Sequence, residues 1–136
     1  MKLGDSASLT KEVLWADVQQ MALVTGDNNP LHTDEEFARK SMFKRRIAHG
    51  LIAAGLISAV LGTKLPGPGT IYLSQTLQFL APVFPDDIIT ATVTVIDMDT
   101  KRRTATLKTE VKTQAGTDVL SGLAKVIYMD GVEHGA

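Results

Sequence analysis

The sequence predicts an α+β domain in which one long central helix is wrapped by an antiparallel β-sheet. Two patterns and one length carry this expectation. Residues 47–62 form the longest apolar stretch, broken only by His49 and Ser58, and its apolar residues fall on every side of a helix. A helix without a polar face must be surrounded by protein. After Pro66-Gly67-Pro68-Gly69 the pattern changes to the two-residue alternation of strands. The chain has 136 residues and is 44% hydrophobic, which suits one ordinary domain with one core, so a single domain over 1–136 is expected.

The elements are expected in the following order. Residues 6–14 open with a strand. Residues 16–25 carry Val18, Met21, Ala22 and Thr25 at helical spacing, and Gly26 ends that helix because glycine enters the left-handed conformation without strain. Thr33-Asp34-Glu35-Glu36 has the form of a capping box and starts a second short helix through Phe37 and Ala38. The buried helix of residues 47–62 follows; Gly50, Ala53, Ala54, Gly55 and Ala59 let neighbouring backbone approach it. Four strands complete the chain, over residues 70–79, 88–97, 103–112 and 119–128. In the second, Ile89, Ala91, Val93 and Val95 alternate with threonines; in the third, Ala105, Leu107, Thr109 and Val111 do the same. Their short connections imply antiparallel neighbours. The tail from residue 131 onward is expected to fray.

Composition excludes several classes. Fourteen Lys and Arg against 15 Asp and Glu leave a charge of −1, so neither nucleic acid nor a membrane surface is an expected partner. The absence of cysteine removes disulfides, thiolate nucleophiles and sulfur-ligated zinc. His32, His49 and His134 lack the spacing of a metal motif, so no metal is expected. The first residues, Met1-Lys2-Leu3-Gly4-Asp5, lack the apolar core of a secretory signal, and the longest apolar stretch is shorter than the roughly 20 residues of a membrane span. A cytoplasmic location is expected.

Two segments carry candidate chemistry. In Asp27-Asn28-Asn29-Pro30-Leu31-His32 an acid and an imidazole lie five residues apart, with Pro30 between them opposing a regular helix; a bent loop can aim both side chains at one point. That arrangement suits an acid–base pair, although the same residues also make a good turn. In Arg46-Ile47-Ala48-His49-Gly50-Leu51 a glycine in the first turn of a buried helix leaves backbone N–H groups unpaired at an oxyanion site, or simply permits close packing. Of the basic clusters, Lys101-Arg102-Arg103 reads as a solvated turn, whereas Lys44-Arg45-Arg46 abuts the buried helix and is expected to meet an anionic ligand there.

Gly26-Asp27-Asn28-Asn29-Pro30-Leu31-His32-Thr33-Asp34, followed by Arg46-Ile47-Ala48-His49-Gly50, resembles the signature of the MaoC-like, R-specific enoyl-CoA hydratases. Leu65-Pro66-Gly67-Pro68-Gly69-Thr70-Ile71-Tyr72-Leu73 and Phe79-Leu80-Ala81-Pro82-Val83 extend the resemblance over nearly the whole chain. It implies a hotdog fold, a homodimer, and an acyl-CoA thioester as substrate, with no cofactor beyond the CoA carried by that substrate. The catalytic pair then falls on Asp27 and His32, and the oxyanion donor on the Gly50 N–H. Asn29 falls where an amide fixes the loop. Ser58 falls where a hydroxyl lines the pocket, or bonds to its own helix. His49 is expected to be structural, a buried imidazole satisfied by backbone.

The implied reaction adds water to a trans-2-enoyl-CoA and gives the R-3-hydroxyacyl-CoA. Asp27 and His32 would share one water, and which is acid and which base stays open. Leu61, bulky and further along the helix than Ser58, is expected to close the acyl tunnel and favour short chains. The alternatives are a hotdog acyl-CoA thioesterase, which would not need the imidazole fixed beside Asp27, and a non-catalytic acyl-CoA-binding module, which would not need the pair at all.

Overall fold

A computed structural model of the chain describes residues 1–130; the tail expected to fray lies outside the described residues. Six strands and four helices follow in the order β1 (Ser6–Glu12), α1 (Trp15–Thr25), α2 (Pro30–Thr33), α3 (Glu35–Arg39), α4 (Gly50–Thr63), β2 (Ile71–Gln75), β3 (Gln78–Phe79), β4 (Ile88–Asp99), β5 (Thr104–Thr113) and β6 (Asp118–Ile127). All strand pairs are antiparallel, in the spatial order β1-β4-β5-β6-β2, and β3 also pairs with β6. The register sets Val93 opposite both Ala7 and Thr109. The alternation therefore turns Ile89, Ala91, Val93, Val95, Ala105, Leu107, Thr109 and Val111 to one buried face. Against that face packs α4, through Ala53, Leu56, Ile57, Val60 and Leu61. A helix laid across one antiparallel sheet is the hotdog arrangement. Each large side chain fully buried there contributes about 1.5–3 kcal/mol of transfer free energy.

Four local expectations are corrected. The central helix begins at Gly50, not at residue 47, because Ile47 and Ala48 spend their N–H groups on the carbonyls of Leu31 (3.3 Å) and Val83 (2.7 Å). This helix is also not enclosed by its own chain. Leu51, Gly55, Ser58 and Gly62, spaced four, three and four residues apart, form one exposed stripe on the face turned away from the sheet.

The third correction concerns the segment after Asp27. Pro30 starts a helix instead of preventing one, since the first helical position needs no N–H. The cap of the next helix is Asp34, whose Oδ1 accepts from the Phe37 N–H (3.2 Å), while the Thr33 hydroxyl donates to the Asn29 carbonyl (3.4 Å). Finally, the strand expected over residues 70–79 breaks at Thr76 and Leu77 into β2 and β3. Thr76 leans over Gly122 on β6: a Cβ at Gly122 would lie 1.8 Å from the Thr76 carbonyl oxygen. The Thr76 hydroxyl accepts the Leu123 N–H (2.9 Å), which holds the break in place.

Candidate active site

Gly26 stops α1 in the left-handed conformation (φ 78°) and returns its N–H to the Ala22 carbonyl, so the chain reverses and presents Asp27 at the turn. The Asp27 carboxylate accepts the Asn29 N–H through Oδ1 (3.2 Å) and is half exposed. Asn29 in turn caps α2, its side-chain oxygen accepting the Leu31 N–H (3.0 Å). This is the loop-fixing role expected of Asn29. Two short caps in succession thus carry the chain from Asp27 to His32 with its direction set at each step.

His32 is buried, and its Nδ1 lies 2.7 Å from the Ile47 carbonyl oxygen. A carbonyl only accepts, so Nδ1 carries a proton, and Nε2 is the ring nitrogen left to exchange one. Ile47 is held by the Leu31 carbonyl, so the strand-like approach to α4 and the His32 ring fix each other.

His49, 4% exposed, caps α4 by position and lies against both members of the pair. Its Nε2 donates to the Asp27 carbonyl (3.1 Å) and lies 4.0 Å from Asp27 Oδ2. Its ring stacks on His32, with centroids 4.0 Å apart and planes 30° from parallel. The backbone satisfaction expected of His49 holds for Nε2 alone; Nδ1 is the one buried side-chain polar atom without a hydrogen-bond partner among the described residues.

Gly50 opens α4, and no acceptor binds its N–H among the described residues. An amide at the positive end of a 14-residue helix is suited to a developing negative charge. Asp27, His32, His49 and Gly50 line one small cavity of about 150 Å³, closed on the α1 side by Met21 and Thr25. An apolar cavity of about 580 Å³ shares His32 and Gly50 and continues past Phe43, Phe79 and Val83. A second apolar cavity, of about 380 Å³, adjoins the small one through Met21 and runs between α1 and α4 past Ile52, Gly55 and Ala59.

Of the residues singled out in the sequence, the structure gathers Asp27, His32 and Gly50 at one point, with Asn29 holding the loop. Three others lie elsewhere. Ser58 is exposed on the α4 stripe and so is not a buried hydroxyl of this single chain. Leu61 is 1% exposed within the core and lines neither of the two apolar cavities. Arg46 is engaged within the chain: its Nε pairs with Glu35 Oε2 (2.9 Å) and its guanidinium lies 3.7 Å above the Trp15 ring, which joins α3 to α1. The sequence reasoning did not place Met21 and Thr25 in the site; their helical spacing on α1, immediately before Gly26, was the available signal.

One carboxylate and two imidazoles offer donor atoms within 4.8 Å of one another. The N–H of each imidazole is committed to a carbonyl, which leaves His32 Nε2 and the carboxylate free for proton transfer to and from a small molecule held between them. Such a cavity, with a proton acceptor, a carboxylate and an unpaired N–H donor, can activate water beside a polarised carbonyl.

The chain is similar to known proteins. A Rhodospirillum rubrum protein named (R)-specific enoyl-CoA hydratase is 47% identical over 127 residues, covering 93% of this chain and 88% of its own. A Methylorubrum extorquens protein named 3-hydroxybutyryl-CoA dehydratase is 51% identical over 107 residues, covering 79% of this chain and 68% of its own. The solved structure of an (R)-hydratase from Aeromonas caviae, described as involved in PHA biosynthesis, superposes with a TM-score of 0.91 at 41% identity, over 95% of this chain and 98% of that one. The model of the MaoC-like domain matches residues 4–117, and the chain belongs to that family.

Proposed function

We propose that this chain is an (R)-specific enoyl-CoA hydratase, a hydro-lyase that adds water reversibly to a trans-2-enoyl-CoA and favours short acyl chains. The observation that carries the reading is the convergence of the Asp27 carboxylate, His32 Nε2 and the Gly50 N–H on one cavity. The names of the relatives support the reaction and its stereochemistry, and the 3-hydroxybutyryl name supports the short chain.

In this mechanism Asp27 and His32 hold one water between them. As the water oxygen bonds to C3, the pair takes a proton from it, the C2=C3 electrons shift toward the thioester, and negative charge gathers on the carbonyl oxygen. The Gly50 N–H stabilises that charge. The pair then delivers a proton to C2 from the side on which the water stood, so hydroxyl and hydrogen add to one face. Lone-pair availability gives His32 the capacity to act as base in the neutral state. General acid–base help of this kind is worth about 10² to 10⁴-fold, and one oxyanion donor about 3 to 4 kcal/mol of barrier. No metal and no cofactor besides substrate CoA enters the scheme. No observation favours the hydrolytic or purely binding alternatives.

The working unit we infer is a cytoplasmic homodimer. The α4 stripe, with Leu51 54% exposed, and the apolar residues Ile71 and Leu73 on the edge strand β2 are surfaces that a second copy would cover. Among the described residues no helix is long and apolar enough to cross a membrane.

The test follows crotonyl-CoA at its enoyl absorbance together with free thiol. Loss of the enoyl band without thiol release, and an R-configured 3-hydroxybutyryl product, is expected. Thiol release would replace this reading with hydrolysis; no change in either signal would replace it with binding alone.

A further inference from the structure

Building on the hydratase reading, we propose that His49 is a positioning residue for the reaction. As a neutral Nε2–H imidazole it sets the Asp27 backbone and lies under His32 to stabilise the positive charge that His32 acquires. Three observations converge on it. The Nε2–H reaches across 22 residues of sequence to the Asp27 carbonyl (3.1 Å), so Asp27 is anchored through its main chain while its carboxylate stays free to work. The ring stacks on His32 at 4.0 Å between centroids, 30° from parallel. Its Nδ1 is buried without a partner.

The third observation bears on the tautomer. With Nε2 donating to the Asp27 carbonyl, the neutral ring places its proton there and needs no acceptor at the buried Nδ1. A neutral aromatic ring attracts a cation over its face, whereas a charged one at this separation would repel it. His49 therefore favours the protonated form of His32 after proton transfer and contributes no competing charge. The titratable groups that face it are Asp27, from the turn after α1, and His32, from α2; the other cavity residues, Met21, Thr25, Gly50 and Leu51, carry none.

Two substitutions separate the two contributions. His49→Gln keeps an N–H near the Nε2 position and removes the ring; His49→Phe keeps the ring and removes the N–H. The His32 ring is followed by NMR titration, which is tractable because the chain has three histidines. In His49→Gln the His32 titration, and with it the acidic limb of the kcat profile, is expected to move to lower pH. In His49→Phe that limb is expected to stay near the wild-type position. There kcat for crotonyl-CoA should fall at least about tenfold with KM changed less than about threefold, because Asp27 loses its anchor.

Each arm can fail on its own. An unchanged His32 titration in folded His49→Gln overturns the charge-stabilising role, and wild-type kcat in folded His49→Phe overturns the anchoring role. If one variant does not fold by circular dichroism, the other decides its half. If neither folds, His49 is purely structural and the proposal is wrong. The NMR arm does not require turnover. A shifted titration in His49→Gln, beside a wild-type protein that fails to hydrate crotonyl-CoA, would therefore sink the hydratase reading while leaving the His49–His32 coupling intact.

Discussion

The ring of Phe79 lies directly over Gly50: a Cβ added at Gly50 would stand 2.6 Å from Phe79 Cε1. This contact ties β3 to the first turn of α4 and explains why the helix opens with a residue that has no side chain. Gly50→Ala is expected to push the Phe79 ring aside, disturb the oxyanion donor and lower kcat/KM for crotonyl-CoA by at least about tenfold. In a Phe79→Ala background the same change should cost much less. Steady-state kinetics of the four chains measure the coupling, and additive losses would show that the ring is not what excludes the methyl group.

Replacing the acid–base pair tests the chemistry itself. Asp27→Asn keeps the acceptor for the Asn29 N–H, and His32→Gln approximates the shape of the imidazole, so both proteins should fold. Hydration of crotonyl-CoA is expected to fall by at least about a hundredfold in each. A variant with near-normal turnover would remove that residue from the mechanism.

Leu61 packs in the core, and its truncation separates that role from one at the end of the acyl chain. Because it is fully buried among core residues, Leu61→Ala should lose about 2–5 kcal/mol in chemical denaturation. Because Leu61 lines neither apolar cavity, the ratio of kcat/KM for dodecenoyl-CoA to that for crotonyl-CoA should stay unchanged. A raised ratio would return Leu61 to the end of the acyl tunnel.

Asp17 gives a pH dependence unrelated to catalysis. Burial works against its charge, but the Leu14 N–H (2.8 Å) and Lys11 (2.9 Å) outweigh that effect and hold its carboxyl below the ordinary value of 3.8. A lowered folded-state value means that the ionised form stabilises the fold above the ordinary value and that this contribution disappears as pH falls through the folded one. Asp17→Asn should therefore be less stable than wild type by a constant amount above about pH 5, and the gap should close toward about pH 2. Denaturation curves at pH 7 and pH 2.5 check it; an equal gap at both would remove the charge from the explanation.

The parts of the fold written in local pattern were legible beforehand. The Val and Thr alternation of β4, the helical spacing of α1 and the stop at Gly26 each depend on neighbours within a few residues. What was not legible depends on partners far along the chain. The break at Thr76 follows from Gly122 on another strand, and the capture of Arg46 requires both Glu35 and Trp15 to be in place. The small residues of α4 announced close approach but not its source, so the exposed stripe at Ser58 was read as buried. Within the site, Asp27, Asn29, His32 and Gly50 were recognisable from motif and resemblance. The contact of His49 with Asp27 was not, because it closes a loop of 22 residues whose path is set by two short helices.

Asp27 stands half in solvent, and its carboxylate bonds one N–H in the turn, that of Asn29. The architecture therefore owes the carboxylate very little. A lineage that lost this oxygen pair by a single codon change would keep its sheet, its helix and its apolar cavities, and would retain a protein able to grip an acyl thioester without transforming it. In this fold the step from catalyst to receptor is short on the evolutionary path, and it runs through a residue that stability does not guard.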